Sequence, residues 1–281
     1  MYAAKVIEDS IADGVRLTTF EVTFPRIVLA EFNTHRMLSR NSASSRAIPV
    51  EKRIAAVRAN PFVPEAFAMN KRGMQAGEEL DERDNSKARD TWMRACAAAI
   101  EQTERLLDTG VHKQWANRLL EPFSWHTVVV TATEWENFFN LRISNLAQPE
   151  IRRAAEMMLE AMNASTPTPR GSCAWHLPYV QDDERAEYDP SYLAMISAAR
   201  CARVSYLTHD GRRDIDADIE LARRLEASRH MSPFEHPARV IGCPGIAIDY
   251  EEDEFFGNFR APWRQQRKYM SGERVAPKET P

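Results

Sequence analysis

Asn33-Thr34-His35-Arg36-Met37-Leu38-Ser39-Arg40-Asn41-Ser42-Ala43-Ser44-Ser45-Arg46 places three arginines, one histidine, four serines and two asparagines in 14 residues. A dry core cannot absorb such a group. Each guanidinium is a fixed charge carrying a fork of donors that matches phosphate or carboxylate. Serine hydroxyls and backbone N–H groups can complete an anion cradle around it. The stretch therefore reads either as the wall of a site for a phosphate-bearing ligand or as a solvated basic loop.

The surrounding chain supplies a scaffold for it. Upstream, residues 15–24 alternate Phe20, Val22 and Phe24 with Thr19, Glu21 and Thr23, the period of a strand that ends at Pro25. Residues 27–32 read as a short helix leading into the basic stretch. Downstream, residues 47–85 are rich in Pro, Gly, Asn and charge and read as loops with short helical pieces. A long helix is expected over 86–108, with Met93, Ala97, Ile100 and Leu107 inward and Gly110 as its stop. Residues 113–120 read as a further short helix with Arg118 near its end.

Over 131–142 a helix would place Trp135, Phe138, Phe139 and Arg142 on one face. Thr133 and Glu136 would form its capping box. Arg142 then continues an aromatic stripe, either as a ligand contact or as a guanidinium covering the edge of the core. Pro149 suits the first turn of a helix to Met162 whose inner face is Ile151, Ala155, Met158 and Met162.

Residues 165–170 are linker-like in composition, and 182–190 form a second polar break. An α-rich segment follows, with an amphipathic helix over 215–227 and a strand at 239–241. His230-Met231-Ser232-Pro233-Phe234-Glu235-His236 holds two histidines and a glutamate. Pro233 breaks regular i, i+4 pairing, so no metal site is expected. Residues 255–270 again mix aromatics with Arg260, Arg264, Arg267 and Lys268.

Composition bounds the function. The chain has 281 residues, 43% hydrophobic and 28% charged, with net charge −4. That is the profile of an ordinary globular protein and argues against a general nucleic-acid binder. No apolar run approaches the roughly 18 residues of a membrane span. Cys96, Cys173, Cys201 and Cys243 form no CxxC pair, so reduced thiols and a cytoplasmic location are expected. Neither GxGxxG, GxxxxGK[ST] nor GxSxG occurs, which removes the Rossmann, P-loop and α/β-hydrolase readings.

Three motifs together resemble the flavin-dependent thymidylate synthases. Their signature is Arg-His-Arg, seven residues, then Ser, with a further Arg. Thr34-His35-Arg36, Ser44 and Arg46 match all but the first arginine. Phe138-Phe139-Asn140-Leu141-Arg142 with Ala147-Gln148-Pro149-Glu150-Ile151-Arg152 is similar to a second element. Ala202-Arg203-Val204-Ser205 with the 230–236 stretch is similar to a third, which in the family precedes the Arg-His-Arg element and here follows it. The chain also departs from the family at Glu31, Ser42, Thr131, Thr133 and Leu146.

The resemblance implies an α+β fold, an antiparallel sheet core with flanking helices in two related strand–helix halves. The expected division is 1–165, a linker at 166–190, and 191–281. It implies C5 methylation of a uridylate, dUMP or UMP, with FAD as cofactor and NADPH and methylenetetrahydrofolate as co-substrates. Uridylate hydroxymethylation, or a nucleotide-binding regulator that kept the fold, are the alternatives. Ser44, Ser45, Arg46 and Arg118 would hold the nucleotide, and Arg142 and His230 would serve the reacting centre. His35, Arg36, Asn137, Ser232 and Glu235 would border the flavin. A homotetramer with shared sites is implied as well.

Overall fold

The computed structural model describes residues 1–204, 213–242 and 256–270. Ser205, the end of the Ala202–Ser205 motif, and Phe255 and Cys243 lie outside them. The chain opens with a hairpin, β1 (Ala3–Ala12) and β2 (Val15–Pro25), antiparallel from Ala3↔Thr23 to Ala12↔Val15. Asp13 and Gly14 both take positive φ at its turn, which matches the twist of paired strands. A 3-10 turn and α1 (Leu29–Asn33) lead to β3 (Ser39–Ser42). Next come α2 (Val50–Ala59), α3 (Glu82–Asp108), α4 (Lys113–Ala116), a 3-10 segment (Asn117–Phe123) and β4 (Trp125–Ala132). β4 pairs antiparallel with both β2 and β3.

After α5 (Glu136–Arg142) and α6 (Pro149–Ala164), β5 (Thr168–Pro169) adds a short parallel edge to β1. The main sheet is thus ordered β3-β4-β2-β1-β5. The remainder is β6 (Trp175–His176), α7 (Asp182–Glu187), α8 (Pro190–Val204), α9 (Ile215–Ala227), β7 (Ala238–Val240) and β8 (Trp263–Gln265). The second sheet is β6-β7-β8, also antiparallel. The fold is α+β, with antiparallel-dominated sheets and flanking helices.

One face of the main sheet carries Phe20, Val22, Val128 and Val130 and packs on Ile151, Ala154, Ala155 and Met158 of α6, joined by Phe32, Trp135 and Phe138. The other face meets the C-terminal elements: Val129 packs with Cys201 and Val204 of α8. Among the described residues no helix is long and apolar enough to cross a membrane.

Several expectations are corrected. α3 starts at Glu82 rather than 86, because Asp81 caps it by accepting the Asp84 N–H at 2.8 Å. Its buried stripe is Cys96, Ile100 and Thr103, whereas Met93 and Ala97 face solvent. The 131–142 stretch is not one helix. Hydrogen-bonded neighbours on both sides hold β4 extended to Ala132, and α5 begins only at Glu136. Thr133 makes no capping box; its hydroxyl accepts the Arg260 N–H at 3.0 Å. The linker-like stretch 166–190 contains β5, β6 and α7. Cys173 is disulfide-bonded, while Cys96 and Cys201 are free and buried.

Candidate functional site

The basic stretch divides at β3. Its first half closes on α5. Arg142 Nε donates to His35 Nε2 at 2.8 Å, and its Nη2 donates to the Glu31 carbonyl at 3.1 Å and to Thr34 Oγ1 at 3.0 Å. His35 Nε2 therefore accepts, which leaves the ring neutral with its proton on Nδ1. Burial, then the charges of Arg142 and Arg40, lower the His35 pKa to about 4. Arg40 donates to the His35 carbonyl and closes the group.

The second half is a turn with its inside pinned. Ala47 N–H donates to Ser44 O at 2.9 Å. Buried Ser45 donates its hydroxyl to Glu121. Asn117 Nδ2 donates to Ser45 O at 2.7 Å and Ile48 O at 2.9 Å, and Lys113 Nζ donates to Ala47 O at 3.3 Å. Ser44 and Arg46, between these anchors, stay exposed.

That exposed edge borders a cavity of about 610 Å³. Arg40, Ser42, Ser44 and Arg46 form one wall, His230 and Ser232 another, and His112 and Gln114 a third. No acidic side chain is among the described residues that line it. Two guanidiniums, two imidazoles and three serine hydroxyls line one cavity, and the nearby Glu235 charge acts on Arg40 from outside the described lining; the set favours an anionic ligand.

Distant parts of the chain meet here through a clamp. Gln265 Nε2 donates to Ser39 Oγ at 2.8 Å and to Glu235 O at 2.9 Å, while its Oε1 accepts the Asn258 N–H at 3.2 Å. This seats the 3-10 turn Ser232–Glu235 against β3. Gly257 is required beside it, since a Cβ there would lie 1.9 Å from Gln265 Oε1 and the φ is +82°.

A second tie runs through the sheet. Ser10 Oγ bonds His176 Nδ1 at 3.0 Å, and His176 Nε2 bonds Thr19 Oγ1 at 2.8 Å. Thr19 bonds Thr131 at 2.7 Å, and Thr131 bonds His236 Nδ1 at 2.8 Å. Both rings are fully buried. Burial lowers the His236 pKa to about 3, and burial with the charges of Arg170 and Arg185 takes His176 well below its ordinary value.

Residues 14–168 match the family model described as thymidylate synthase complementing protein, more than half of the chain. The chain belongs to this family. Among solved structures it is similar to a UMP/dUMP methylase, PolB, from Streptomyces cacaoi in two complexes. With 5-Br UMP the identity is 20% and the TM-score 0.49, covering 58% of this chain and 88% of that one. With 5-Br dUMP the values are 18% and 0.47, covering 58% and 90%. It is also similar to Thymidylate Synthase X from Helicobacter pylori with FAD and dUMP, at 17% identity and TM-score 0.38, covering 52% and 67%. No curated protein matches it.

In this member of the thymidylate synthase complementing family, the matched segment contributes Ser44 and Arg46 to the cavity, and His230 and Ser232 come from beyond it. The other sequence candidates stand elsewhere. Ser45 points inward to Glu121, which also accepts from Arg118 Nη1 at 3.0 Å. Arg36 and Asn137 are exposed outside the cavity lining, Glu235 is ion-paired with Arg267, and His35 and Arg142 form their own group. Arg40, His112 and Gln114 are cavity residues that the motifs did not single out. Arg40 was within reach of the sequence as the second arginine of the basic stretch, while His112 and Gln114 carry no local signal.

Proposed function

We propose that this chain is a flavin-dependent C5 methylase of a uridylate nucleotide, converting dUMP to dTMP or UMP to 5-methyl-UMP. Methylenetetrahydrofolate would be the one-carbon donor and NADPH the reductant. The observation that carries this reading is the cavity, basic among the described residues, that joins Ser44 and Arg46 to His230 and Ser232. Ser44 and Arg46 hold the phosphate, with Ser45 setting the turn's shape from beneath and Arg118 beside it. Arg142 and His230 serve the pyrimidine end.

Of the nucleotide set, Ser44 and Arg46 line the cavity. The flavin set does not close within one copy. Of His35, Arg36, Asn137, Ser232 and Glu235, only Ser232 lines the cavity. In this reading the remainder is completed by other copies of a homotetramer. FAD, when bound, would supply the hydride; the chain's own contribution is to bind the anion and orient the uracil ring without a nucleophilic cysteine. Cys201 agrees with that, since burial pushes its thiol far up and leaves no thiolate to attack.

The test is a purified sample incubated with FAD, then assayed for tritium release from C5-labelled dUMP and UMP with both co-substrates. Flavin absorption and release from at least one nucleotide are expected. A colourless protein that takes up no FAD supports instead a nucleotide-binding regulator on the same fold, a reading favoured by Thr34 in the place of an arginine and by the open flavin set. Arg142→Ala should lower turnover at least about 100-fold, on the scale of losing a positioned charge in an active site. Its melting temperature should fall only a few degrees, since the side chain is half-buried. Full turnover in that variant would remove Arg142 from the reacting centre.

A further inference from the structure

We propose that His112 is a ligand-contacting residue of the cavity, donating its Nε2 proton to the anionic end of the bound nucleotide. The inference rests on the nucleotide reading above and adds a third wall to that site. His112 stands in the short connection between α3 and α4, outside the three family motifs.

Its position is fixed by the same anchors that fix the serine–arginine turn. Lys113, its neighbour, bonds Ala47 O, and Asn117, one turn on, bonds Ser45 O and Ile48 O. Hydrogen bonds thus tie the loop that carries His112 to the turn that carries Ser44 and Arg46. The ring's tautomer is fixed too. His112 Nδ1 accepts the backbone N–H of Gln114 at 3.3 Å, capping α4. A neutral imidazole that accepts on one nitrogen carries its proton on the other. Nε2–H is thus a donor, and among the described residues no protein group accepts from it. The cavity it lines holds Arg40 and Arg46 and, among the described residues, no carboxylate, so the acceptor that suits this donor is an anion.

Capping and ligand binding can be separated by substitution. Asn and Asp both keep a side-chain oxygen able to accept the Gln114 N–H, and both are favoured capping residues. Neither offers Nε2–H, and Asp adds a negative charge. Calorimetric titration of UMP into the full-length wild type, His112→Asn and His112→Asp, with a thermal melt of each, is the experiment. For a contact to an anion, affinity should fall about tenfold in the Asn variant and about 100-fold in the Asp variant, with melts close to wild type. If His112 only caps α4, the Asn variant binds UMP as tightly as the wild type, whatever the added charge does in the Asp variant. That result overturns the inference and leaves the nucleotide reading intact. A wild type that binds neither UMP nor dUMP overturns both.

Discussion

Asp218→Ala is expected to lower the melting temperature by about 10 °C, the largest single-residue effect on stability anticipated in this chain. Asp218 is fully buried and accepts Arg200 Nε at 2.8 Å on one oxygen and Arg203 Nε at 2.8 Å on the other. Arg200 turns its remaining donors to both oxygens of Glu184, at 2.7 Å each, and to Tyr179 O at 2.8 Å. Burial alone would raise the Glu184 pKa, but the Arg200 hydrogen bonds, the Gln181 N–H and the Arg200 charge hold it down at about 2. Every charge in the group has a partner, so the group is tolerated in the interior. Removing Asp218 leaves Arg200 to Glu184 alone and strips the carboxylate from Arg203, the loss of one partner from a buried charge group, which costs about 3–5 kcal/mol. In a protein of this size each kcal/mol is worth roughly 2–4 °C. The loss should reach the cavity as well, because α8 and α9 supply Ala202 and Leu225 to its lining. Circular dichroism melts decide the matter. A melting point within about 2 °C of wild type would show that the group contributes no net stability.

How far sequence reading reached follows from the range of the forces involved. The β2 alternation, Pro149 opening α6 and the period of α9 are local patterns, and each element formed where its pattern lay. β1 was illegible because its Glu8 and Asp9 do not look like residues of a buried strand. Glu8 is matched by Arg170 and Arg185, and Asp9 by Arg16, Thr18 and Ser165. Most of those partners lie more than a hundred residues away. The Thr19–Glu21–Thr23 side of β2 would ordinarily face water. Instead its Thr19 is buried under the histidines that later segments bring, and Glu21 accepts Tyr179 Oη at 2.7 Å. The cavity shows the same division. Ser44, Arg46, His230 and Ser232 could be singled out because motifs carry them. His112 and Gln114 could not, because only the anchors at Lys113 and Asn117 bring that loop to the serine–arginine turn.

Stability should fall steeply as pH drops below about 6.5. His126, His176 and His236 are buried and neutral. Burial first, then Arg26 and Arg53, lowers His126 to about 3, and burial takes His236 to about 3 and His176 well below its ordinary 6.5. The sign follows from proton counts. Between pH 6.5 and about 3 the unfolded chain binds protons on these rings that the folded chain refuses, so acid favours unfolding. Their contribution is complete above pH 6.5 and is lost as pH falls toward the folded values. Three such groups give a slope of about 4 kcal/mol per pH unit at its steepest. Glu8, which burial raises despite Arg185 and Arg170, acts in the opposite sense, but as one group against these three and His35, whose pKa is lowered too. Against a typical stability of roughly 5–15 kcal/mol, unfolding is expected between about pH 4 and 5. The Ser10–His176–Thr19–Thr131–His236 chain makes the loss cooperative, since each hydroxyl has one proton and the donor order along the chain can only reverse as a whole. A proton added at His236 places a charge in a dry site next to the turn carrying Ser232, so nucleotide binding should fail along the same pH curve as the melt. Urea titrations at about pH 7.5, 6.5, 5.5 and 4.5 measure the slope. A stability that stays flat from pH 7.5 to 5 would mean that these rings take up protons without disturbing the fold.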